Sequence, residues 1–248
     1  MSNFVILSLK RSGSTFLVSS LNTHEEIICT GEIFKETRPS NIIMPEYSYD
    51  LTKKESLGSR LKHFTSKPKL VKFHLDKIYS STEKSLGFKL MPRQIKRYPS
   101  SIEYIIQQNI PAVLLIRKNY LERLISIQKA AKTKVFISSI STNKDQATTI
   151  ELNPKTIIQT FDQMDQETEL MKSYAAKTKS IAINYEDLTM NTPEKTQLEI
   201  LDFIGVSKIP LTSNLKKLIK KPMSEVVTNF DEIQKIIMDS KYKNLLPG

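Results

Sequence analysis

The residues with the clearest potential for chemistry lie near the start of the chain, in FVILSLKRSGSTF, residues 4–16. An apolar run leads to two cations, Lys10 and Arg11, and Gly13 then opens a hydroxyl-rich stretch. Backbone N–H groups in such a turn converge on one point at the start of a helix, where a phosphate or sulfate group binds. Residues 10–15 are therefore predicted to form an anion-binding loop, which we call the anion loop. The alternative is an ordinary strand-to-helix turn that Ser14 caps.

Side chains of the anion loop add to its predicted affinity for anions. Ser14 and Thr15 supply hydroxyl donors, whereas Lys10 and Arg11 supply positive charge. Arginine holds two oxygens of one anion at once, because its N–H groups form a planar fork. We therefore expect a phosphate or sulfate group to bind here.

A second cationic strand end follows the apolar run that begins at Ala112 and ends before Arg117. The carboxyl ends of strands in an open parallel sheet lie along one edge, where ligands bind. Arg117 and Arg11 are therefore expected to face the same crevice, which indicates a ligand with two anionic groups. The alternative for Arg117 is a salt bridge with Glu122 or Asp187.

The elements that must position these residues alternate between strand-like and helix-like segments, the order that is typical of a parallel α/β sheet. Helical periodicity is clearest after an Asn119 cap and in residues 198–204 before Gly205. The strand-like runs are Phe4–Leu9, Leu86–Met91, Ala112–Ile116 and Ser180–Asn184. We predict an α/β fold with a central parallel sheet flanked by helices, in a single domain over residues 1–248.

Two polar segments, residues 35–69 and 132–155, fit neither pattern. Long polar inserts around an α/β core act as lids or acceptor loops more often than as linkers, so we interpret both as walls of a second substrate site. The C-terminal segment, residues 215–246, is predicted to form helices broken at Pro222.

Composition limits the class of protein. With 248 residues, of which 39% are hydrophobic, the chain is long enough to bury a full core. The lone Cys29 excludes internal disulfides and fits a reducing compartment, so we expect a cytoplasmic protein. The net charge of +11 comes without an aromatic platform or a basic helix in register, so no nucleic-acid partner is predicted. No apolar run reaches the about 18 residues of a membrane span.

Several nucleotide-site patterns are missing from the sequence. There is no G-x-x-x-x-G-K-[ST] motif, and Arg117 stands where a P-loop kinase would carry a metal-binding aspartate, so we predict no metal. G-x-G-x-x-G and G-x-S-x-G are also missing, which argues against dinucleotide enzymes and α/β-hydrolases. A small-molecule or nucleoside kinase, with Glu186 and Asp187 holding magnesium, remains an alternative, as does a non-catalytic nucleotide-binding protein.

Five short segments resemble, in identity and in order, motifs of the PAPS-dependent sulfotransferases, in particular the bacterial nodulation-type carbohydrate sulfotransferases and trehalose sulfotransferase. They are Lys10–Thr15, Gly31–Phe34, Gly87–Met91, Arg117–Ser126 and Tyr185–Leu188. The resemblance implies a P-loop-like architecture and an enzyme that moves a sulfuryl group from PAPS (3′-phosphoadenosine 5′-phosphosulfate) to a hydroxyl. It also implies a carbohydrate or glycolipid acceptor. The oligomeric state is left open.

The resemblance also implies which residues bind the donor. Arg117 and Ser126 would hold the 3′-phosphate, and Lys118 would share or replace the role of Arg117, because family members differ by one residue in this spacing. Tyr185 would either lie near the adenine or be a core tyrosine. The 5′-phosphosulfate would be held by Lys10, Arg11, Ser12, Gly13, Ser14, Thr15 and Phe16.

Catalytic roles follow from the chemistry of sulfuryl transfer, in which negative charge grows on the leaving phosphate. Arg11 and Lys89 are the expected catalytic cations, with Lys10 as a further source of charge. Arginine does not act as a general acid at neutral pH, so Arg11 is expected to stabilise charge. Glu32 matches the catalytic glutamate of the trehalose-type enzymes and is the expected general base; the alternative is a structural pairing with Arg11 or Lys89.

Two departures from the cytosolic sulfotransferases affect these assignments. Met91 stands where those enzymes carry a catalytic histidine, which favours a carboxylate base, although His24 and His74 remain candidates and His63 lies in the first polar insert. Their C-terminal R-K-G cofactor motif is also absent, and the lysine-rich stretch 216–221 is a candidate replacement.

Overall fold

The computed structural model describes residues 2–34, 57–133, 148–212 and 221–246, with side chains in the segment 57–79 described from residue 68 onward. One parallel sheet lies at its centre, with the strand order β2-β3-β1-β4-β5. The strands are β1 (Phe4–Ser8), β2 (Ile27–Glu32), β3 (Ser85–Leu90), β4 (Ala112–Ile116) and β5 (Ser180–Asn184). The predicted α/β class with a central parallel sheet is therefore confirmed.

Helices lie on both faces of this sheet. They are α1 (Ser14–Leu21), α2 (Leu57–Tyr79), α3 (Pro92–Arg97), α4 (Pro99–Gln107), α5 (Tyr120–Thr133), α6 (Ile157–Ala175), α7 (Pro193–Ile204), α8 (Met223–Val226) and α9 (Phe230–Met238), with a π-helical turn at Asp187–Asn191 and a 3-10 turn at Lys243–Leu245. None of these described helices is both long enough and apolar enough to cross a bilayer.

Every residue of β1 is buried, because a parallel strand covered on both faces must be apolar throughout. Val5 and Leu7 join one core cluster, which contains apolar residues of α2, α4 and α6. Phe4 and Ile6 point the other way, into a cluster with α1 and α7. The strand before the anion loop is thus fixed from both sides.

A third apolar cluster joins α5 and α6 to the C-terminal helices α8 and α9. Its aromatic centre includes Tyr120, Phe161 and Tyr242, whose ring centroids lie 5.3 to 6.2 Å apart. Helix α8 begins directly after Pro222, and the predicted helix before that proline lies outside the described residues. The C-terminal helices therefore support α5, the helix that carries Ser126.

Strand β2 was not predicted from the sequence, and part of the first polar insert, for which no element was predicted, is helical. Residues 57–69 belong to α2, so this part of the segment 35–69 is helical. In the second insert, Ile150 forms a parallel bridge with Val227. Residues 35–56 and 134–147, and most of the lysine-rich stretch 216–221, lie outside the described residues, so their predicted roles stay predictions.

Candidate active site

The predicted site residues meet at the carboxyl edge of the sheet, because all five strands run in the same direction. In register, Ile6 of β1 lies beside Lys89 of β3, and Lys89 also pairs with Glu32 at the end of β2. On the other side of β1, Ser8 lies beside Leu115 of β4. The anion loop, Glu32, Lys89 and the segment after β4 are thereby brought to one crevice.

The anion loop has two residues in the left-handed region of backbone space, Arg11 (φ 63°) and Gly13 (φ 85°). Gly13 is the residue before the first turn of α1, and no side-chain hydrogen bond caps that helix start. The predicted alternative, in which Ser14 caps the turn, is therefore not what the structure has. Alternating left-handed residues beside a helix start turn backbone N–H groups towards one point, which is the geometry of an anion site.

Tyr185 covers Gly13 closely. A Cβ atom on residue 13 would overlap ring carbons Cδ2 and Cε2 of Tyr185, so the contact requires a glycine. On the ring, the Arg117 guanidinium carbon lies 4.6 Å from the centroid, a cation–π distance. Tyr185 is buried and belongs to the core cluster of α1 and α7.

Arg117 is buried beneath the anion loop. Its Nη1 donates to the carbonyl oxygen of Arg11 at 3.2 Å, and its Nη2 forms a 2.6 Å ion pair with Oε2 of Glu122. The salt bridge that sequence analysis offered as the alternative is thus present, with Glu122 as the partner. Asp187 is held by Asn184 and Asn191 instead.

Arg117 keeps one buried donor, Nε, without a hydrogen-bond partner in the described part of the chain. Nearby, Arg11 donates from its own Nε to Oγ of Ser126 at 3.0 Å. Burial, and after it the charge of Arg117, lowers the pKa of Arg11 from its ordinary value. Two cations placed this close favour a polyanionic ligand, because an anion would relieve their repulsion.

Lys118 differs from Arg117, because its described hydrogen bond is made by the backbone and not by the side chain. Lys118 is exposed, and its backbone N–H donates to Glu186, as does that of Asn119. Asn119 caps α5 by accepting from the N–H of Glu122, which confirms the predicted cap. Of the adjacent pair Arg117 and Lys118, the buried cation is therefore Arg117.

Arg123 is a functional candidate that sequence analysis missed. It lies on α5 with a side chain only 3% exposed, and its Nε donates to the carbonyl oxygen of Lys10 at 2.9 Å. An ion pair of 3.3 Å joins its Nη2 to Glu167. Arg123 and Arg117 thus hold neighbouring carbonyl groups of the anion loop, and nothing in the spacing of α5 residues indicated this.

Glu32 and Lys89 form the other side of the crevice. Lys89 Nζ lies 3.7 Å from Oε1 of Glu32 and donates to Oγ1 of Thr15 at 3.4 Å. Oε2 of Glu32 accepts from Nε2 of Gln94 at 3.1 Å. Lys89 is nearly buried, whereas a quarter of the Glu32 side chain is exposed, so solvent or an acceptor reaches the carboxylate.

His24 and His74, the two histidines whose side chains are described, have contacts that differ from those of Glu32. His24 is buried, accepts from the N–H of Glu26 and lies 2.8 Å from the carbonyl oxygen of Ser207. His74 packs edge-on against the ring of Phe34. His63 lies where side chains are not described. Among the described residues, no group of three His, Cys, Asp or Glu side chains could hold a metal ion.

Comparisons with known proteins agree with the five motifs. No family model matches the chain. Nodulation protein H of Rhizobium meliloti (strain 1021) is 25% identical over 235 residues, which cover 93% of this chain and 89% of that protein. Nodulation protein H of Rhizobium tropici is 22% identical over 243 residues, with 96% and 90% covered. Mouse sulfotransferase SULT7A1 complexed with PAP has a TM-score of 0.49 and 10% identity, over 98% of this chain and 86% of that chain.

The full-length similarity to two nodulation proteins is what the motifs predict, since those motifs resemble the nodulation-type sulfotransferases. The similarity covers 93% and 96% of this chain, so it is not confined to one of the segments that form the crevice. The resemblance of the five motifs to the nodulation-type PAPS-dependent sulfotransferases is thereby confirmed over nearly the whole chain.

Proposed function

We propose that the enzyme moves a sulfuryl group from PAPS to a hydroxyl of a carbohydrate or glycolipid, by in-line transfer without a metal ion. The observation that carries this proposal is the chain of contacts from Thr15 through Lys89 to Glu32. It links the start of the anion-loop helix to a partly exposed carboxylate. A donor anion and an acceptor hydroxyl would therefore meet between a cation and a base.

On the donor side, the anion loop would bind the 5′-phosphosulfate through its backbone N–H groups and the hydroxyls of Ser14 and Thr15. Arg117 and Ser126 would hold the 3′-phosphate. The unpaired Nε donor of Arg117 supports this assignment, because a buried N–H without a partner costs free energy that an anion would recover. The ring of Tyr185 would support the anion loop by packing against Gly13.

The reaction would form one S–O bond and break another. The acceptor oxygen attacks sulfur, the bond from sulfur to the 5′-phosphate oxygen breaks, and the acceptor proton passes to Glu32. Adenosine 3′,5′-bisphosphate (PAP) leaves with both electrons of the broken bond. Arg11 and Lys89 would stabilise the charge that grows on the leaving oxygen, and Arg11 would do so as a cation and not as an acid.

The acceptor class rests on the resemblance to sugar-modifying sulfotransferases and on the polar mouth of the crevice. Glu32 offers a partly exposed carboxylate there. The proposal takes residues 1–248 as one sulfotransferase domain that acts in the cytoplasm.

A transfer assay with radiolabelled PAPS and a panel of saccharides and glycolipids tests this function. Labelled product should form at the same rate with and without EDTA. Tighter binding of ATP with magnesium than of PAP without metal, measured by calorimetry, would overturn the proposal in favour of a kinase. Binding of PAP without transfer to any acceptor would indicate a non-catalytic protein.

Replacing Glu32 tests whether this residue is the general base. Glu32→Gln keeps the size of the side chain but removes its ability to take a proton, so kcat should fall by roughly 10²-fold or more. The Kd for PAP should change little, because the described polar partners of Glu32 are Gln94 and Lys89, which lie outside the anion loop. Unchanged turnover in this variant would remove Glu32 from catalysis and return the choice to a histidine.

A further inference from the structure

The side-chain amide of Gln94 is held by hydrogen bonds at both its oxygen and its nitrogen. It lies in the first turn of α3, directly after β3, and is only 7% exposed. Its Oε1 accepts from the backbone N–H of Met91 at 3.0 Å, and its Nε2 donates to Oε2 of Glu32 at 3.1 Å. Because the N–H of Met91 requires an acceptor and the carboxylate requires a donor, the amide has only one orientation that satisfies both.

The two oxygens of Glu32 are therefore held by different elements. Lys89 of β3 lies beside Oε1, and Gln94 of α3 binds Oε2. An ion pair of 3.7 Å leaves a carboxylate free to rotate, whereas a second, directional hydrogen bond fixes the plane of the group. Gln94 is in turn fixed by the backbone of Met91, so the orientation is passed from the helix start to the carboxylate.

We infer that Gln94 is a positioning residue for sulfuryl transfer, which holds the Glu32 carboxylate in the orientation that accepts the acceptor proton. This inference rests on the proposed role of Glu32 as the base. Gln94 does not need to contact the substrate for this role, since it acts through Glu32. A neutral amide suits the task because it donates to the carboxylate without competing with Lys89 for negative charge.

Two variants separate this role from the capping of α3. Gln94→Glu has the same length and still accepts from the N–H of Met91, but it places a second carboxylate against Glu32. Gln94→Met removes both hydrogen bonds. If Gln94 positions the base, both variants should lower kcat by roughly 10-fold to 100-fold, with the KM for PAPS within about twofold of the wild type.

A purely capping role predicts a different pattern, in which Gln94→Glu keeps wild-type kcat and only Gln94→Met loses thermal stability. Gln107→Met, on the exposed end of α4, is the matched control and should keep wild-type kinetics. Wild-type kcat in Gln94→Glu, or a loss of kcat in the Gln107 control as large as that in Gln94→Met, would overturn the inference.

A double-mutant cycle tests the route through Glu32. In the Glu32→Gln background, Gln94→Met should cause no further loss of kcat, because the group that it orients has been disabled. Additive losses would show that Gln94 acts independently of Glu32 and would contradict the inference.

Nuclear magnetic resonance makes the inference testable apart from the proposed function. The Gln94 side-chain amide signal is identified by its loss in Gln94→Met, and it should move to the position of a solvated amide in Glu32→Ala. If the wild type transfers no sulfuryl group but the signal moves, the proposed function fails while the Gln94 contact stands. If the wild type is active and the signal does not move, only the positioning inference fails.

Discussion

Arg117 is a buried cation of the crevice and Arg11 a partly buried one, and their contacts differ. Arg11 holds a left-handed backbone (φ 63°), and its side chain reaches Ser126. Arg117 supports that backbone by donating to the Arg11 carbonyl, and it is paired with Glu122. Arg11 therefore presents its charge from the anion loop itself. Arg117 supports the loop backbone, and its Nε has no hydrogen-bond partner in the described part of the chain.

These differences predict different losses on truncation. Arg11→Ala should lower kcat by roughly 10²-fold to 10³-fold and weaken AMP and PAP alike, because it removes charge beside the leaving phosphate. Arg117→Ala should mainly reduce the preference for PAP over AMP, since the 3′-phosphate distinguishes the two ligands. Kinetics and calorimetry with both nucleotides measure this contrast, and equal preference ratios in the two variants would contradict it.

At the residue scale, the sequence predicted the groups that carry charge but not the groups that hold them. Lys10 and Arg11 stand out by type and by their place after an apolar run, and Lys89 stands out as a cation inside one. Arg123 and Gln94 do not, because their importance comes from tertiary contacts with a loop carbonyl and with a carboxylate. A buried arginine on α5 has the same sequence appearance as one that faces solvent.

Among the elements, strands with continuous apolar runs were predictable to within about one residue. Ala112–Ile116 and Ser180–Asn184 were predicted with their observed bounds. Strand β2 was missed because its sequence, IICTGE, ends in polar residues and a glycine. Its burial comes from pairing with β3, which is information that lies elsewhere in the chain. Helix α2 was missed in part because Pro68, inside the helix, argues against helical structure.

The turn between β1 and α1 depends on Gly13 for two separate reasons. Its φ of 85° costs a residue with a Cβ atom about 1–2 kcal/mol, and the Tyr185 ring leaves no space for that atom. Gly13→Ala should therefore lower the free energy of unfolding by more than the backbone cost alone, and it should weaken PAP binding.

Urea unfolding and calorimetry measure both effects of Gly13→Ala. Gly205→Ala is the matched control, because Gly205 has a similar φ of 81° but nothing within 4 Å of its Cβ position. It should lose only the backbone part of the stability and keep PAP binding. Equal losses in the two variants would show that the contact with Tyr185 contributes nothing.

For the whole molecule, the three core clusters explain how distant segments build one crevice. The clusters on the two sheet faces fix β1 from both sides, the first of them also fixes β3, and the third cluster fixes α5 against the C-terminal helices. Arg117 and Arg123 then link the α5 side to the carbonyl groups of the anion loop. A ligand that bridges Arg11, Lys89 and Arg117 would therefore join parts that three separate cores support.

Because PAP would bridge these three residues, we expect it to stabilise the fold more than nucleotides that carry phosphate only at the 5′ position. At a concentration 100 times its Kd, a ligand adds about 2.7 kcal/mol to the free energy of unfolding. For a chain of this size that corresponds to a rise in Tm of roughly 5–10 °C. At equal concentrations without metal, PAP should raise Tm more than AMP or ATP, and the advantage over AMP should disappear in Arg117→Ala. A larger shift with ATP than with PAP in the wild type would mean that the second cationic strand end does not select a 3′-phosphate.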